Sequence, residues 1–124
     1  MTAAIFAYSR TGCQTARRVL SSLGQVSAVC YTLSRLEEPG FLPLDASTYA
    51  ETFSGCDALI FVGACGIAVR KIAPFVRDKK TDPAVVVIDE RANFVIPLLS
   101  GHIGGANRLA VRLADVLGAT AAVT

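Results

Sequence analysis

The sequence predicts an α/β protein: a three-layer α/β/α domain with a mixed, mainly parallel sheet that includes one antiparallel hairpin. Three observations lead to this prediction. Hydrophobic residues make up 52% of the 124 residues, a content typical of strands that are buried on both faces. Short apolar runs alternate with stretches at helical spacing, as expected for a parallel sheet covered by helices. One pair of apolar runs is separated by residues 89–93 alone, which indicates the hairpin.

Six apolar runs are predicted to be strands. The first apolar run begins soon after Met1. It lacks the preceding basic residues of a signal peptide, and Arg10 follows it closely, so it indicates a buried strand. The link 89–93 is too short to hold a crossover helix, so the strands beside it must be antiparallel. The predicted strands span residues 3–8, 26–32, 57–62, 84–88, 94–99 and 120–124. At this length we expect a single domain, residues 1–124.

Helices are predicted between most of these strands. The first begins at a cap formed by Thr11 and ends at Gly24. Pro74 is disfavoured inside a helix, so the third helix is expected to kink or end near Ala73. The stretch 36–47 contains two prolines and a glycine and is predicted to be an ordered loop. The other helices are predicted over residues 47–53, 67–76 and 105–117.

Composition and charge exclude several classes of function. Twelve Lys and Arg against ten Asp and Glu leave a net charge of +2, and the basic residues form no stripe of the kind that binds nucleic acid. No apolar run reaches the roughly 18 residues of a membrane span. No C-x-x-C spacing is present and His102 is the single histidine, so no zinc site is expected.

The four cysteines are expected to be reduced thiols in a cytoplasmic protein. They are Cys13, Cys30, Cys56 and Cys65. Cys65 is also a candidate reactive thiol near a helix start, although an inert thiol is favoured because no base is evident beside it. The excess of apolar residues is compatible with contact to another domain or subunit, so a homo-oligomer remains an alternative to a monomer.

The segment 99–107 is the most informative part of the chain, because it places the only histidine in a glycine-rich loop before a helix. Its glycines, Gly101, Gly104 and Gly105, can bring backbone N–H groups close to a ligand. His102 is the natural proton-transfer residue, since an imidazole titrates near neutrality; a structural histidine is the alternative. Ser100 is a nucleophile or a hydrogen-bond donor, and the absence of G-x-S-x-G favours the donor.

A second glycine loop, 63–66, follows the third predicted strand. We expect both loops beyond the carboxyl ends of strands, where open α/β sheets bind ligands. Gly63 and Gly66 can present amides to carboxylates or phosphates, or they simply permit a tight turn. Neither loop matches the phosphate-loop or dinucleotide patterns, so ATP and NAD are not favoured. Arg70 and Lys71 follow within two helical turns and can pair with substrate carboxylates, although a solvated helix face also explains them.

Three further polar residues are candidates for the site. Asp89 and Glu90 lie in the predicted hairpin turn, where a carboxylate can orient His102 or activate water but is more often simply solvated. Asn107, on the first turn of the last predicted helix, can face the site or act as a cap.

Three blocks of sequence, residues 58–70, 82–91 and 98–107, together resemble the N-terminal region of the cobalamin biosynthesis protein G family (CbiG type). Weaker similarity extends through residues 40–43 to the first strand, so the resemblance covers essentially the whole chain. Three ordered blocks of this length are far more specific than one glycine loop.

The resemblance implies a cobalt-precorrin-5A hydrolase of anaerobic cobalamin (vitamin B12) biosynthesis. Such an enzyme opens the ring A δ-lactone, and the two-carbon fragment at C20 leaves as acetaldehyde. It implies that cobalt arrives within the substrate, so that no cofactor is needed, and that other cobalamin-biosynthesis enzymes are candidate partners. Lactone hydrolysis requires an activated water, an oxyanion donor and an acid for the leaving oxygen. We expect His102 as base or acid, Glu90 as its orienter and the amides of 101–105 as oxyanion donors.

Two departures from the family pattern affect this interpretation. Glycine usually stands where this chain has Ala92, so we expect a different hairpin turn with Asn93 in the left-handed conformation. The resemblance implies that larger members continue into a C-terminal domain, which we expect to lie outside these 124 residues. The alternative function is therefore a non-catalytic tetrapyrrole-binding module that acts with partner enzymes or another domain. A generic nucleotide-binding domain is a third hypothesis.

Overall fold

The computed structural model describes residues 1–124 and contains one seven-stranded sheet. The strands are β1 (Thr2–Ala7), β2 (Ser27–Thr32), β3 (Phe41–Pro43), β4 (Ala58–Val62), β5 (Ala84–Ile88), β6 (Phe94–Leu99) and β7 (Thr120–Ala121). They lie in the order β3-β2-β1-β4-β5-β6-β7. Every neighbouring pair is parallel except β5 and β6, which form the antiparallel hairpin. The predicted α/β class with a mixed, mainly parallel sheet is confirmed.

Four α-helices cover the two faces of the sheet. They are α1 (Arg10–Ser22), α2 (Thr48–Gly55), α3 (Cys65–Ile72) and α4 (Ala106–Leu117). Helices α1 and α4 pack on one face, and α2 and α3 pack on the other. As predicted, α3 ends before Pro74, which lies in a 3₁₀ turn, Ala73–Phe75. None of these helices has the length and apolar character needed to cross a bilayer.

The core consists of two layers because β1, β4 and β5 are buried on both faces. Alternate residues of a strand point to opposite faces, so Ile5 and Ile60 face α1 and α4 whereas their neighbours Phe6 and Phe61 face α2 and α3. The rings of Phe6 and Phe61 stack with centroids 4.7 Å apart. All four cysteines are free, and burial raises the pKa of the Cys30 thiol to about 11.

The start of α1 differs from the prediction. Ser9, not Thr11, is the N-cap: its backbone is extended and its Oγ accepts a hydrogen bond from the Gly12 amide at 3.0 Å. An N-cap satisfies the free amides of the first turn, and Ser9 stands three residues before the amide that it caps. Helix α1 is further held by Glu38, whose carboxylate binds Arg10 in its first turn and Arg17 further along at 2.9 and 2.8 Å.

Two other local expectations are also corrected. The stretch predicted to be a loop contains β3, a three-residue edge strand whose closing Pro43 is tolerated because no strand lies on its outer side. In the hairpin turn, Ala92 and not Asn93 adopts the left-handed conformation, with φ 59°. Asn93 donates its amide to the Asp89 carboxylate at 2.8 Å and leads directly into β6.

The topology creates two different edges of the sheet. We call the edge at which β1, β4 and β5 end the carboxyl edge, and the edge at which they begin the amino edge. The chain leaves β1 toward β2 and β3, returns through α2 to β4, and continues to β5, so its direction reverses between β1 and β4. Ligands of open α/β sheets bind beyond the carboxyl ends at such a switch point. Strand β6 runs the other way: Val95 pairs with Ile88 and Leu99 pairs with Val85, so β6 ends at the amino edge.

The packing of α4 yields a test of this core. Leu113 is fully buried under the sheet, whereas Val111 on the same helix is 53% exposed. We expect Leu113→Ala to lower the free energy of unfolding by about 2–5 kcal/mol, because it leaves a cavity. The matched substitution Val111→Ala should change it by no more than about 0.5 kcal/mol. Urea denaturation of both variants checks this difference, and similar losses in the two would contradict the packing of α4.

Candidate functional site

A cleft of about 410 Å³ opens at the carboxyl edge, at the switch point between β1 and β4. The loops that follow β1, β4 and β5 border it. They contribute Tyr8 and Ser9, Gly63 and Ala64, and Asp89 and Glu90. We refer to this cleft as the switch-point crevice. Helices α1 and α3 begin at its rim and leave toward opposite faces of the sheet.

Glu90 is the charged group of the switch-point crevice that α1 and its N-cap hold in place. Ser9 Oγ donates a hydrogen bond of 2.6 Å to its Oε2, and Thr15 Oγ1 donates one of 2.6 Å to its backbone carbonyl. The other carboxylate oxygen, Oε1, accepts no hydrogen bond from the protein and is not buried. One oxygen of the carboxylate is therefore held by Ser9, and the other is free to contact water. This arrangement suits a group that accepts a proton from water.

Asp89, the neighbouring carboxylate, has a different role. Its Oδ1 accepts hydrogen bonds from the amides of Asn93 and Phe94 at 2.8 and 2.6 Å, and its carbonyl accepts one from Ala92 at 2.9 Å. These bonds close the hairpin turn. The sequence analysis placed both carboxylates in the turn and chose Glu90 for the site. In the structure the Asp89 carboxylate closes the turn, whereas the Glu90 carboxylate makes no hydrogen bond within it.

The glycine loop after β4 forms the opposite wall of the switch-point crevice. Gly63 continues the sheet, since its amide donates to the Ile88 carbonyl at 2.8 Å. Ala64 is the N-cap of α3 and has no side chain that caps the first turn. A Cβ at Gly66 would meet only Arg70 Nη1, at 3.7 Å. Glycine at this position is therefore not required by packing.

Two tyrosines, which the sequence analysis did not single out, adjoin this wall. The hydroxyl groups of Tyr8 and Tyr49 are 2.7 Å apart, and burial raises the pKa of both phenols. Lys71 Nζ lies 5.4 Å from the centre of the Tyr49 ring, while Lys71 and Arg70 are exposed on α3. Tyr8 and Ser9 were identifiable in principle, because Tyr8 ends a predicted parallel strand and Ser9 follows it, just as Gly63 follows the strand 57–62.

The loop that contains His102 lies at the amino edge. Ser100 follows β6 there, buried and with φ 59°, and its Oγ donates to the Asp82 carbonyl at 3.2 Å. His102 and Ile103 are exposed. A smaller groove of about 230 Å³ adjoins the loop at Gly105.

The other predicted ligand-binding residues of this loop have structural contacts. A Cβ at Gly104 would lie 2.4 Å from Ser100 Cβ, and a Cβ at Gly101 would lie 2.7 Å from Asn107 Oδ1. The carbonyls of Ser100 and Gly101 accept hydrogen bonds from the first two amides of α4, those of Ala106 and Asn107, at 3.1 and 3.0 Å. These amides are thus occupied by the loop itself.

The structure separates the two groups of predicted site residues. Glu90 follows β5 at the carboxyl edge, and His102 follows β6 at the amino edge. The five residues of β5 alone span about 16 Å at roughly 3.3 Å per residue. The expectation that Glu90 orients His102, and that the amides of 101–105 share a site with Gly63, is therefore wrong for this chain. The cause is that β6 runs antiparallel to β5. The predicted hairpin already implied this direction, and with it the end of β6 at the amino edge.

Comparison with known proteins identifies the family. The family model described as "Cobalamin synthesis G N-terminal" matches residues 47–124. The chain belongs to this family. The match covers α2, β4 to β7 and the helices between them, and so includes the Gly63 and Glu90 walls of the switch-point crevice.

Relatives of this cobalamin synthesis G N-terminal chain carry an enzyme name. The cobalt-precorrin-5A hydrolase of Salmonella typhimurium is 49% identical over 124 residues, which cover 98% of this chain and 34% of the relative. The cobalt-precorrin-5A hydrolase of Priestia megaterium is 51% identical over 72 residues, 58% of this chain and 19% of the relative. The chain thus spans about a third of the length of the Salmonella protein.

A solved structure has the same fold. It is described as a cobalamin biosynthesis protein G homolog from Sulfolobus solfataricus, and it superposes with a TM-score of 0.82 at 30% sequence identity. The match covers 99% of this chain and 36% of that one.

The contrast between two glycines tests the two loops. Gly104→Ala should lower the free energy of unfolding by about 1–3 kcal/mol, because the new Cβ would overlap Ser100. Gly66→Ala should leave it unchanged or raise it by up to about 1 kcal/mol, since alanine is the better helix former and space is available. Thermal and urea unfolding of both variants measure the difference. Equal stability of the two variants would mean that the close approach of Gly104 to Ser100 is not real.

Proposed function

We propose that this chain forms the corrinoid-binding crevice of a cobalt-precorrin-5A hydrolase, an enzyme of anaerobic cobalamin biosynthesis. The proposed reaction opens the ring A δ-lactone, with loss of the two-carbon fragment as acetaldehyde. One observation carries the proposal: the carboxylate of Glu90, held by Ser9 and open at Oε1, lies in the switch-point crevice of a chain whose relatives carry this name. Because the cobalt is part of the substrate, the proposal requires no metal held by the protein.

In the proposed reaction Glu90 acts as general base. Its Oε1 takes a proton from a water molecule, and the resulting hydroxide attacks the carbonyl carbon of the lactone. The ester C–O bond then breaks, leaving a carboxylate and an alcohol, with the proton on Glu90 returned to the alcohol oxygen. Acetaldehyde leaves in a second step: the alcohol loses its hydroxyl proton, the bond between its carbon and the macrocycle breaks, and the macrocycle takes up the electron pair and a proton. The amides of Cys65 and Gly66, in the uncapped first turn of α3, are the donors that we assign to the oxyanion formed on the way.

Substrate charge fits the surface beside the switch-point crevice. A corrinoid precursor carries several acetate and propionate side chains, and Arg70 and Lys71 are exposed on α3, the helix that begins at the crevice. Charge-assisted hydrogen bonds to carboxylates suit both side chains. We therefore retain Gly63, Gly66, Arg70 and Lys71 as substrate-binding residues, and we propose no role at the crevice for Ser100, His102 or the rest of their loop.

A second candidate function is a tetrapyrrole-binding module without catalytic activity of its own. The observation that favours it is the position of His102, the only histidine, at the edge of the sheet opposite Glu90. The switch-point crevice consequently has no imidazole to protonate a leaving oxygen. Together with the two thirds of the hydrolase sequence that lie outside the match, this arrangement is what binding without turnover would require.

Turnover by two variants that keep the approximate size of the side chain tests the assignment. The purified chain is incubated anaerobically with cobalt-precorrin-5A, and acetaldehyde and product mass are followed. We expect turnover by the parent chain, a decrease of about 10²–10⁴-fold in Glu90→Gln, which removes the base but keeps the acceptor for Ser9, and no decrease in His102→Gln.

Three other outcomes would revise this proposal. Binding of the macrocycle without acetaldehyde release would support the module. Neither binding nor turnover by the parent chain would contradict both functions. Loss of turnover in His102→Gln with full activity in Glu90→Gln would move the reaction to the amino edge.

A further inference from the structure

Glu90 belongs to a turn that does not itself hold the Glu90 side chain. The hairpin closes through Asp89, whose carboxylate binds the amides of Asn93 and Phe94. A glutamate side chain in a surface turn otherwise samples several rotamers. The groups that fix Glu90 come from α1 and its cap, 75 and 81 positions away in the sequence.

The hydroxyl group of Ser9 takes part in two hydrogen bonds. Its oxygen accepts from the Gly12 amide at 3.0 Å, and its hydrogen is donated to Glu90 Oε2 at 2.6 Å. The accepted bond fixes the orientation of Ser9 Oγ, because the N-cap geometry leaves the side chain little freedom. Gly12 supports the arrangement, since a Cβ there would lie 3.1 Å from Ser9 Oγ and 3.5 Å from the Val62 carbonyl.

Thr15 supplies a second point of attachment, one turn further along α1. Its hydroxyl donates to the backbone carbonyl of Glu90 at 2.6 Å, and the residue is buried. The main chain and the side chain of Glu90 are thus both attached to α1. Because α1 is itself packed on the sheet through Ala16 and Val19, the carboxylate is held relative to β1 and β4, the strands that form the switch point.

We propose that Ser9 is a positioning residue, which holds Oε2 of Glu90 so that Oε1 is presented to the switch-point crevice. The kinetic part of this inference rests on the proposed function, in which Glu90 is the general base. Ser9 does not touch the reacting atoms; it acts through the carboxylate. A hydroxyl at position 9 is needed for this role, whereas a helix cap alone is not sufficient.

The test compares Ser9→Gly with Ser9→Thr. Glycine is an acceptable N-cap, so Ser9→Gly removes the donor to Glu90 and retains α1. Threonine keeps the hydroxyl. Ser22→Ala is the control for a lost hydroxyl elsewhere on α1, because Ser22 Oγ binds only the Val19 carbonyl at the far end of the helix.

Two readouts are combined. With cobalt-precorrin-5A, we expect Ser9→Gly to lower kcat by about 10- to 100-fold with KM little changed, and Ser9→Thr and Ser22→Ala to stay close to the parent. In the free chain, the carboxyl ¹³C resonance and side-chain couplings of Glu90 should show one rotamer in the parent and in Ser9→Thr, and rotamer averaging in Ser9→Gly.

The outcomes separate this inference from the proposed function. Turnover by the parent with an unchanged kcat in Ser9→Gly would overturn the role of Ser9 and leave the function standing. If the parent chain shows no turnover, the proposed catalytic function fails, and the NMR comparison alone decides whether Ser9 orders Glu90. A single Glu90 rotamer in Ser9→Gly would then overturn the inference.

Discussion

The antiparallel pairing of β5 and β6 is the constraint on which the rest of the account depends. It sends the chain back across the sheet after Glu90, so the hairpin turn remains at the carboxyl edge and the glycine-rich loop with His102 reaches the amino edge. A crossover helix in place of the turn would have brought both loops to the same edge. The turn is closed by Asp89 and by the left-handed Ala92, and this local geometry therefore decides which residues can share a site.

Much of the fold could be predicted from sequence, because burial on both faces leaves continuous apolar runs such as residues 58–62 and 84–88. The hairpin followed from the length of its connection, and the end of α3 from Pro74. Strand β3 was missed because three residues at an edge carry no periodic signal. The sequence analysis chose Thr11 and not Ser9 as the N-cap of α1. The choice depends on which backbone amide at the start of the helix lacks a partner, and in the structure Ser9 accepts from the amide of Gly12.

The candidate site could be predicted only in parts. Gly63, Gly66 and Glu90 were found by composition, but their relation to His102 was wrong because a strand's direction, not its loop's glycine content, fixes the edge at which it ends. The partnership of Ser9 with Glu90 joins residues 81 positions apart, and no local pattern indicates such a pair. Two of the glycines near His102, which resemble ligand-binding glycines in sequence, are closely packed: a Cβ at Gly104 would overlap Ser100, and a Cβ at Gly101 would meet the side chain of Asn107.

The position of the corrinoid on the chain is the central claim, and backbone amide NMR during titration with cobalt-precorrin-5A tests it most directly. We predict that the amide resonances of Gly63, Cys65 and Glu90 shift or broaden together as the macrocycle binds, while those of residues 101–105 stay unchanged. Changes confined to residues 101–105 would contradict the account, because they would place the ligand at the amino edge beside His102 and away from the switch-point crevice.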